Sequence, residues 1–236
     1  MSNSENGNFY FGISDNKIYI CFFEDGKRYF KKSINFEIPD TLNNDLNFKI
    51  ISNLLKENIR RFEKSLGLFL TKGNISIQSK TYQSILFSTK NIFDEKKLDD
   101  KVIADLVKIG TQYFVNYENR LSIIHIIINK YIIDDRIYND MPRNIKFKKV
   151  ILEIELICLD KNLIKKVSNL FKECKIEINK IVSFEYAENF LDNEDDKTMC
   201  ISAKKVLSGV NKSEIKIREI NQSKNTIFDR IFNFFD

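Results

Sequence analysis

The chain has 236 residues, a formal net charge of +5 and 43% hydrophobic residues, including 20 Phe. This length and apolar content suffice for a buried core, which excludes a chain that is disordered throughout. The 38 basic and 33 acidic residues leave a small positive excess. Because Lys, Asn and Ile are abundant along the whole chain, general composition explains that excess better than nucleic-acid binding does, and we expect no nucleic-acid partner.

The cysteines and the N-terminus bear on the compartment. Cys21, Cys158, Cys174 and Cys200 share no CxxC spacing, and the chain has one His. We therefore expect no zinc site, and scattered thiols are typical of a reducing cytoplasm. The N-terminal sequence MSNSENGN lacks the basic residues of a signal peptide, and no apolar run approaches the roughly 20 residues that span a bilayer. We expect a cytoplasmic protein unless a peripheral contact holds it at a membrane.

The first predicted unit, residues 8–78, combines strands with one helix. Strand patterns over 9–13 and 17–23 flank turn-forming residues. Apolar residues then recur at helical spacing from Phe48 to Leu66, and Gly67 is expected to end this helix. A further short strand closes the unit.

The second predicted unit, residues 79–182, is organised around residues 121–134, LSIIHIIINKYIID, here termed the isoleucine-rich strand. Its mostly β-branched residues between polar ends predict a strand that is buried on both faces. We expect its single histidine, His125, to have a structural role, with a hydrogen bond to the backbone or to a nearby acid. A catalytic role is less favoured, because a general base needs a neighbouring nucleophile and a third group that orients it.

Amphipathic helices flank the isoleucine-rich strand in the sequence. Asp99 or Asp100 is positioned to cap the preceding helix. Residues 145–159 alternate between apolar and polar and predict a strand with one wet face. Asp160 is expected to cap the next helix, which runs to Glu173.

Residues 183–207 are predicted to return to the first unit through a short helix and a weak strand in the segment TMCIS. The acidic cluster before that strand lacks the spacing of a calcium loop, and we expect no metal site. From Ala203 to Asn225 the composition becomes polar, which predicts a flexible linker. A linker and an amphipathic helix are therefore expected over 208–236.

The C-terminal sequence TIFDRIFNFFD has a clear helical amphipathic pattern. One face carries only large apolar residues: Ile227, Phe228, Ile231, Phe232, Phe234 and Phe235. Such a helix can lie in a membrane interface or dock in a protein groove, and the pattern alone does not separate these possibilities. Upstream basic residues, namely Lys212, Lys216, Arg218 and Lys224, favour an anionic membrane surface.

The assembled pattern resembles the bacterial cell-division actin homologue FtsA. His125, Tyr131, Ile133 and Asp134 match that family's motif in type and spacing, whereas Ile128 stands in place of its Pro. The terminal amphipathic pattern is similar to the family's membrane-targeting sequence. The resemblance implies an α+β fold: a reduced actin-like, ribonuclease H-like half-domain, an inserted strand-helix-strand-strand-helix subdomain of the SHS2 type, and a C-terminal amphipathic helix.

The departures from the family concern nucleotide binding. A first phosphate loop requires an acid, then Gly, then Ser or Thr, but this chain has Gly12, Ile13, Ser14 and Asp15 there. The second loop has only Gly209 and no acid. Family members are also longer and carry subdomains that complete the nucleotide cleft. We therefore expect no ATP hydrolysis and no cofactor.

Three functional hypotheses follow. The first is a non-catalytic, FtsA-like division protein at the division site, on the inner face of the cell membrane, which binds divisome proteins and self-associates through the inserted subdomain. The second is a soluble adaptor, or a pilus-assembly-type actin-like scaffold, whose terminal helix docks on a protein. The third, least favoured, is a residual nucleotide-binding enzyme.

Overall fold

A computed structural model describes residues 7–24, 30–37, 48–192 and 199–215. In these ranges the protein is a mixed α+β structure with two β-sheets and five α-helices. None of the helices within them is long and apolar enough to cross a membrane.

The strands are β1 (Gly7–Ile13), β2 (Lys17–Glu24), β3 (Phe30–Glu37), β4 (Lys72–Ile77), β5 (Gln83–Lys97), β6 (Leu121–Ile133), β7 (Arg136–Tyr138), β8 (Lys146–Asp160) and β9 (Glu177–Ser183). The helices are α1 (Phe48–Leu66), α2 (Asp100–Tyr117), α3 (Lys161–Glu173), α4 (Phe184–Ala187), which continues into a 3₁₀ turn, and α5 (Met199–Ser208).

The first sheet has the strand order β3-β2-β1-β4-β9, with β1, β4 and β9 parallel and β1, β2 and β3 antiparallel. Strands β1 and β2 are apolar on both faces. Phe11 and Phe22 pack toward α1 and α3, whereas Tyr10 and Cys21 pack toward α5. Consecutive buried residues along β1 and β2 are therefore explained by helices on both sides of one sheet.

The second sheet has the antiparallel order β5-β8-β6-β7. α2 covers one face and buries Val102, Leu106 and Val107 against the sheet. β8 is the central long strand, and Leu159 at its end contributes to the first core. The long strand β8 thus contributes residues to the cores of both sheets.

Several predicted elements are confirmed. α1 spans Phe48–Leu66 as expected, and Gly67 follows it with φ +70°. Of the two candidate caps of α2, Asp99 performs the role, since its carboxylate accepts a hydrogen bond from the Val102 amide at 2.8 Å. Asp160 caps α3 through the Leu163 amide at 3.0 Å.

The unit boundaries differ from those predicted. The range 79–182 includes α3 and β9, but β9 pairs with β4 in the first sheet. α3 contributes Val167 and Phe171 to the core beneath that sheet. The sequence patterns of α3 and β9 are compatible with packing on either sheet, so the local sequence did not show that both belong to the first sheet. In the structure, residues from β5 to β8 form the inserted sheet.

The segment around residue 200 corrects two predictions. TMCIS was expected to be a weak strand, but its described residues, from Met199 to Ser202, begin helix α5. The residues from Ala203 to Ile215 were expected to belong to a linker, but Ala203 and Val206 are buried. Together with Met199 and Cys200 they follow helical spacing, which the polar flanks obscured in the sequence.

The isoleucine-rich strand was predicted to be buried on both faces, but this holds for only part of its length. His125 to Ile128 are buried, whereas Asn129 and Lys130 are exposed. The pairing with β8 shifts register at Ile123/His125 and at Ile128/Lys130. Each shift adds one residue to β6, and such bulges change which side chains face the core.

Candidate functional site

A cavity of about 330 Å³ lies at the carboxyl ends of β1 and β4, beside the start of α3. It is lined by the turn after β1, the loop after β4 and the first turn of α3: Ile13, Ser14, Asp15, Ile77, Gln78, Ser79, Lys80, Thr81, Asp160, Asn162 and Leu163. The carboxyl edge of parallel strands is the common position of a ligand site in open α/β sheets. Because Ser14 and Asp15 of the predicted degenerate phosphate loop line it, this cavity is the candidate nucleotide site.

The structure separates the three residues of the degenerate phosphate loop. Ser14 and Asp15 line the cavity, but Gly12 does not. A Cβ atom on Gly12 would lie 2.7 Å from Cβ of Met199. Close packing of α5 against β1 therefore accounts for this glycine without any phosphate.

Backbone amides around the cavity are already engaged. The Ser14 amide donates to the Lys17 carbonyl at 3.0 Å, and the Gln78 amide donates to the Ile13 carbonyl at 2.8 Å. The Ser79 amide donates to Glu185 Oε1 at 2.5 Å. A phosphate loop requires amides that point at the ligand, and these three point at protein acceptors.

The charges around the cavity do not favour an anion. Lys80 Nζ lies 2.8 Å from Asp15 Oδ2, and this hydrogen bond holds the pKa of Lys80 above its usual value. The N-terminus of α3 is capped by the carboxylate of Asp160. This negative side chain occupies the position at which a helix would otherwise attract phosphate.

His125 forms a buried polar network that joins the two sheets. The Ser183 amide donates to His125 Nε2 at 3.1 Å, and His125 Nδ1 lies 2.7 Å from Glu214 Oε1. Because Nε2 accepts a hydrogen bond, the ring proton resides on Nδ1 and is donated to Glu214. The predicted hydrogen bonds of His125 are confirmed, and both ring nitrogens are engaged.

Tyr186 extends this network. Its hydroxyl donates to Glu214 Oε2 at 2.9 Å and accepts from Asn211 Nδ2 at 2.9 Å. Its ring lies 4.5 Å from the His125 ring, centroid to centroid. Burial raises the pKa of Tyr186 above its usual range. The Tyr186 hydroxyl and the His125 ring thus share the Glu214 carboxylate.

The segment after α5 pairs with β6. The Ile128 amide donates to the Ser213 carbonyl at 3.0 Å, and the Ile215 amide donates to the Ile126 carbonyl at 2.9 Å. Glu214 is therefore held on the edge of β6, opposite Ile127. Sequence analysis missed this acid; the alternation in the segment EIKI was the available signal.

The other motif residues named in the sequence analysis also have structural roles. Ile133 is buried under α2. Asp134 has φ +45° in the turn between β6 and β7, and its carboxylate accepts from the Lys149 amide at 2.8 Å. Tyr131 packs against the same core. The motif in this chain therefore specifies how β6 turns and packs.

The outer edge of the second sheet is exposed. In the described part of the chain, β5 pairs with β8 on one side and with no strand on the other. Leu86 and Ile92 on β5 are 68% and 63% exposed. An exposed strand edge with apolar side chains is suited to pairing with another strand.

Two other features named in the sequence analysis are the membrane-binding face and a metal site. The six apolar residues assigned to a membrane face, Ile227, Phe228, Ile231, Phe232, Phe234 and Phe235, lie outside the described residues. Within the described ranges, no group of three or more His, Cys, Asp and Glu side chains is arranged to hold a metal ion.

Comparisons with known proteins give remote structural likenesses. No family model matches the sequence, and no curated protein matches it. A PilM–PilN type IV pilus biogenesis complex aligns at a TM-score of 0.47 and 9% identity over 79% of this chain and 50% of that one. The cytoplasmic domain of EpsL, an inner membrane component of the Vibrio cholerae type II secretion system, aligns at a TM-score of 0.36 and 9% sequence identity. This alignment covers 77% of this chain and 57% of that one.

A third similar structure is a Bacteroides thetaiotaomicron protein of unknown function with an actin-like ATPase fold, at a TM-score of 0.31 and 14% identity over 79% of this chain and 56% of that one. The chain thus spans about half the length of the solved proteins it matches. These likenesses concern the arrangement of the chain and include proteins of actin-like fold. They establish no shared activity or partner.

Proposed function

We propose that this protein is a non-catalytic scaffold that binds other proteins through its second sheet. The observation that carries the proposal is the exposed β5 edge, where Leu86 and Ile92 face solvent on a strand with a vacant side in the described structure. Strand addition at such an edge uses main-chain hydrogen bonds for affinity and side chains for specificity.

The candidate nucleotide cavity supports the non-catalytic part of the proposal. Its nearby amides of Ser14, Gln78 and Ser79 are bonded to protein acceptors. Asp15 and Asp160 are acidic, and Lys80 is paired with Asp15. A triphosphate would have to replace these contacts and lie beside two carboxylates, which opposes binding.

Among scaffold functions, we favour an adaptor of the pilus-assembly type, the second hypothesis given above. PilM–PilN and EpsL are components of pilus and secretion machinery, and we propose the same broad role here, as one part of a multiprotein assembly.

FtsA-like cell division is a second candidate function. The observation that favours it is the joint presence of the His125, Tyr131, Ile133 and Asp134 motif and the C-terminal aromatic pattern. Under this hypothesis the apolar face containing Phe228 and Phe232 binds an anionic membrane on the cytoplasmic side, at the division site.

Two binding measurements test the proposal. Isothermal titration with Mg-ATP is expected to give no binding at millimolar nucleotide; micromolar affinity would overturn the non-catalytic assignment. Flotation with anionic liposomes then compares the full chain with Phe228→Asp/Phe232→Asp and with a chain that ends after Asn225. Binding by the full chain alone would favour the membrane-bound division protein, and no binding by any form would favour the soluble adaptor.

A further inference from the structure

Helices α1 and α3 carry the positive charge of this chain. α1 has five basic and two acidic residues, and α3 has four basic and one acidic, so each helix has a net charge of +3. Since the whole chain has a net charge of +5, the residues outside these two helices together have a net charge of −1. Helix α2, which is nearly as long as α1, has two basic and two acidic residues and is neutral. The general abundance of Lys therefore does not account for the charge of α1 and α3.

The basic residues follow one side of each helix. They recur at intervals of seven, four and four residues along α1 and of four and seven residues along α3, and these intervals keep side chains on one side of an α-helix. These residues, here termed the basic stripes, are Lys49, Lys56, Arg60 and Lys64 on α1 and Lys161, Lys165 and Lys172 on α3. All of them except Lys56 are exposed. At about 1.5 Å per residue, the two stripes are about 22 Å and about 17 Å long.

The acidic residues of α1 are engaged within the protein. Glu57 forms an ion pair with Arg61, one turn later in the same helix. Glu63 Oε1 accepts a hydrogen bond from the Leu70 amide at 2.7 Å, so this carboxylate turns toward the segment that follows the helix. Positive charge therefore dominates the solvent side of α1.

Glu173 holds the two basic stripes next to each other. Its carboxylate, at the end of α3, accepts hydrogen bonds from Ser52 Oγ at 2.7 Å and from Lys56 Nζ at 3.4 Å, both on α1. Apart from Lys56 and Lys161, the stripe residues form no ion pair with another described residue. The two adjacent helices therefore present one positively charged surface on one side of the first sheet.

We infer that the basic stripes bind an acidic segment of a partner protein. Carboxylates on that segment would pair with the ammonium and guanidinium groups of the stripes, and such complementary charge increases the rate and the specificity of association. This surface belongs to the helices of the first sheet and is separate from the β5 edge. The inference therefore goes beyond the proposed function and does not depend on it.

Two observations favour a protein over a membrane or a nucleic acid. Glu57 and Glu173 lie beside the stripes, next in sequence to Lys56 and Lys172, and a continuous layer of phosphates would approach these carboxylates as well. A protein segment can place acidic residues against the stripes and neutral residues against the two acids. Ile50, at 48% exposed, is the single strongly exposed large apolar residue on the two helices, whereas stable attachment to a bilayer requires apolar insertion in addition to charge.

Fluorescence anisotropy of a fluorescein-labelled polyglutamate peptide tests the inference with the full chain. We expect binding that weakens as salt is added and a dissociation constant that rises at least about tenfold in Arg60→Glu/Lys165→Glu, which reverses one charge in each stripe. Lys90→Glu/Lys148→Glu is the matched control, since both residues are exposed on the second sheet and the net charge changes equally. This control should keep near-wild-type affinity. Circular dichroism establishes that each variant is folded.

Two further probes separate a protein partner from other polyanions. The same variants are titrated with fluorescein-labelled double-stranded DNA and, in a Phe228→Asp/Phe232→Asp background that removes the predicted membrane face, with phosphatidylglycerol vesicles. Tighter binding of DNA or vesicles than of polyglutamate, lost in Arg60→Glu/Lys165→Glu, would assign the surface to that partner and overturn the inference. No binding of polyglutamate, or an equal loss in the stripe and control variants, would also overturn it.

Discussion

The two sheets of this protein differ in how many of their faces are buried. The first sheet lies between α1 and α3 on one face and α4 and α5 on the other. The second sheet has α2 on one face, and the opposite face carries the exposed Leu86, Ile92 and Ile137. A sheet buried on both sides contributes mainly to stability, whereas a half-covered sheet retains surface for partners.

The close packing of the first sheet also explains why the polar groups around its cavity are engaged within the protein. In the first sheet, packing extends to the strand ends, where Gly12 is adjacent to Met199 and the loop amides are engaged within the protein. A cavity is thus present at the carboxyl ends of β1 and β4, but its polar groups serve the fold. The second sheet, in contrast, keeps exposed apolar side chains that other molecules can contact.

Truncation of a core residue in the first sheet should have the largest effect. Phe171 is fully buried, and its ring packs edge-to-face on Phe11 with centroids 4.7 Å apart. Phe171→Ala should lower the free energy of unfolding by about 3–5 kcal/mol. Ile137→Ala, on the exposed face of the second sheet, should change it by less than about 0.5 kcal/mol. Urea denaturation measures both, and comparable losses would contradict the contrast between the sheets.

Sequence patterns were sufficient for elements whose signal is local. The spacing in Phe48–Leu66 and the caps Asp99 and Asp160 depend on neighbours within one or two turns, and all are found in the structure. The assignment of β9 to the first sheet depends on pairing with β4, about 100 residues earlier. No local pattern encodes such a partner.

The candidate site shows the same division between local and distant information. A structural role for His125 was predictable, because it lies in an apolar run and has no other His to assist it. Its actual partners, Ser183 and Glu214, come from the end of the other sheet and from a segment with polar composition. The tertiary fold brings them together, and composition alone indicated a linker at Glu214.

The contact that joins the two sheets should have the next largest effect. Glu214→Leu removes the acceptor of the His125 Nδ1–H and Tyr186 O–H groups, and each buried group left unsatisfied costs about 1–3 kcal/mol. Glu214→Gln retains a carbonyl acceptor for His125 and should lose less. Urea denaturation compares the two, and hydrogen exchange at Ile128 and Ile215 reports release of the paired segment. Equal losses in both variants would show that the hydrogen bonds contribute little.

Alkaline pH should reveal the buried thiol in the second sheet. Burial raises the pKa of Cys158 from 9.0 to about 12. Its stabilisation is complete below the unfolded-state pKa and is lost as pH rises from about 9 toward 12, because the unfolded chain releases its proton first. Between pH 9 and 11, wild-type stability should fall more steeply than that of Cys158→Val, by up to about 1.4 kcal/mol per pH unit. Parallel pH profiles would contradict the raised pKa.

The smallest effect is expected at the exposed ion pair between α1 and α3. Glu173 accepts hydrogen bonds from Ser52 Oγ at 2.7 Å and from Lys56 Nζ at 3.4 Å. Both bonds lower the pKa of Glu173, and the bond from Ser52 has the larger effect. The resulting stability is present above the unfolded-state pKa of Glu and is lost as pH falls through the lower folded-state pKa.

Lys56→Met should therefore leave stability at pH 7 almost unchanged, since exposed pairs are screened by solvent. Ser52→Ala should reduce it more and should weaken the dependence on acid, because Ser52 is buried and provides the stronger hydrogen bond. Urea denaturation at pH 7 and pH 3 measures both variants. A larger loss from Lys56→Met would mean that charge, and not the buried hydroxyl, holds this carboxylate between the two helices of the first sheet.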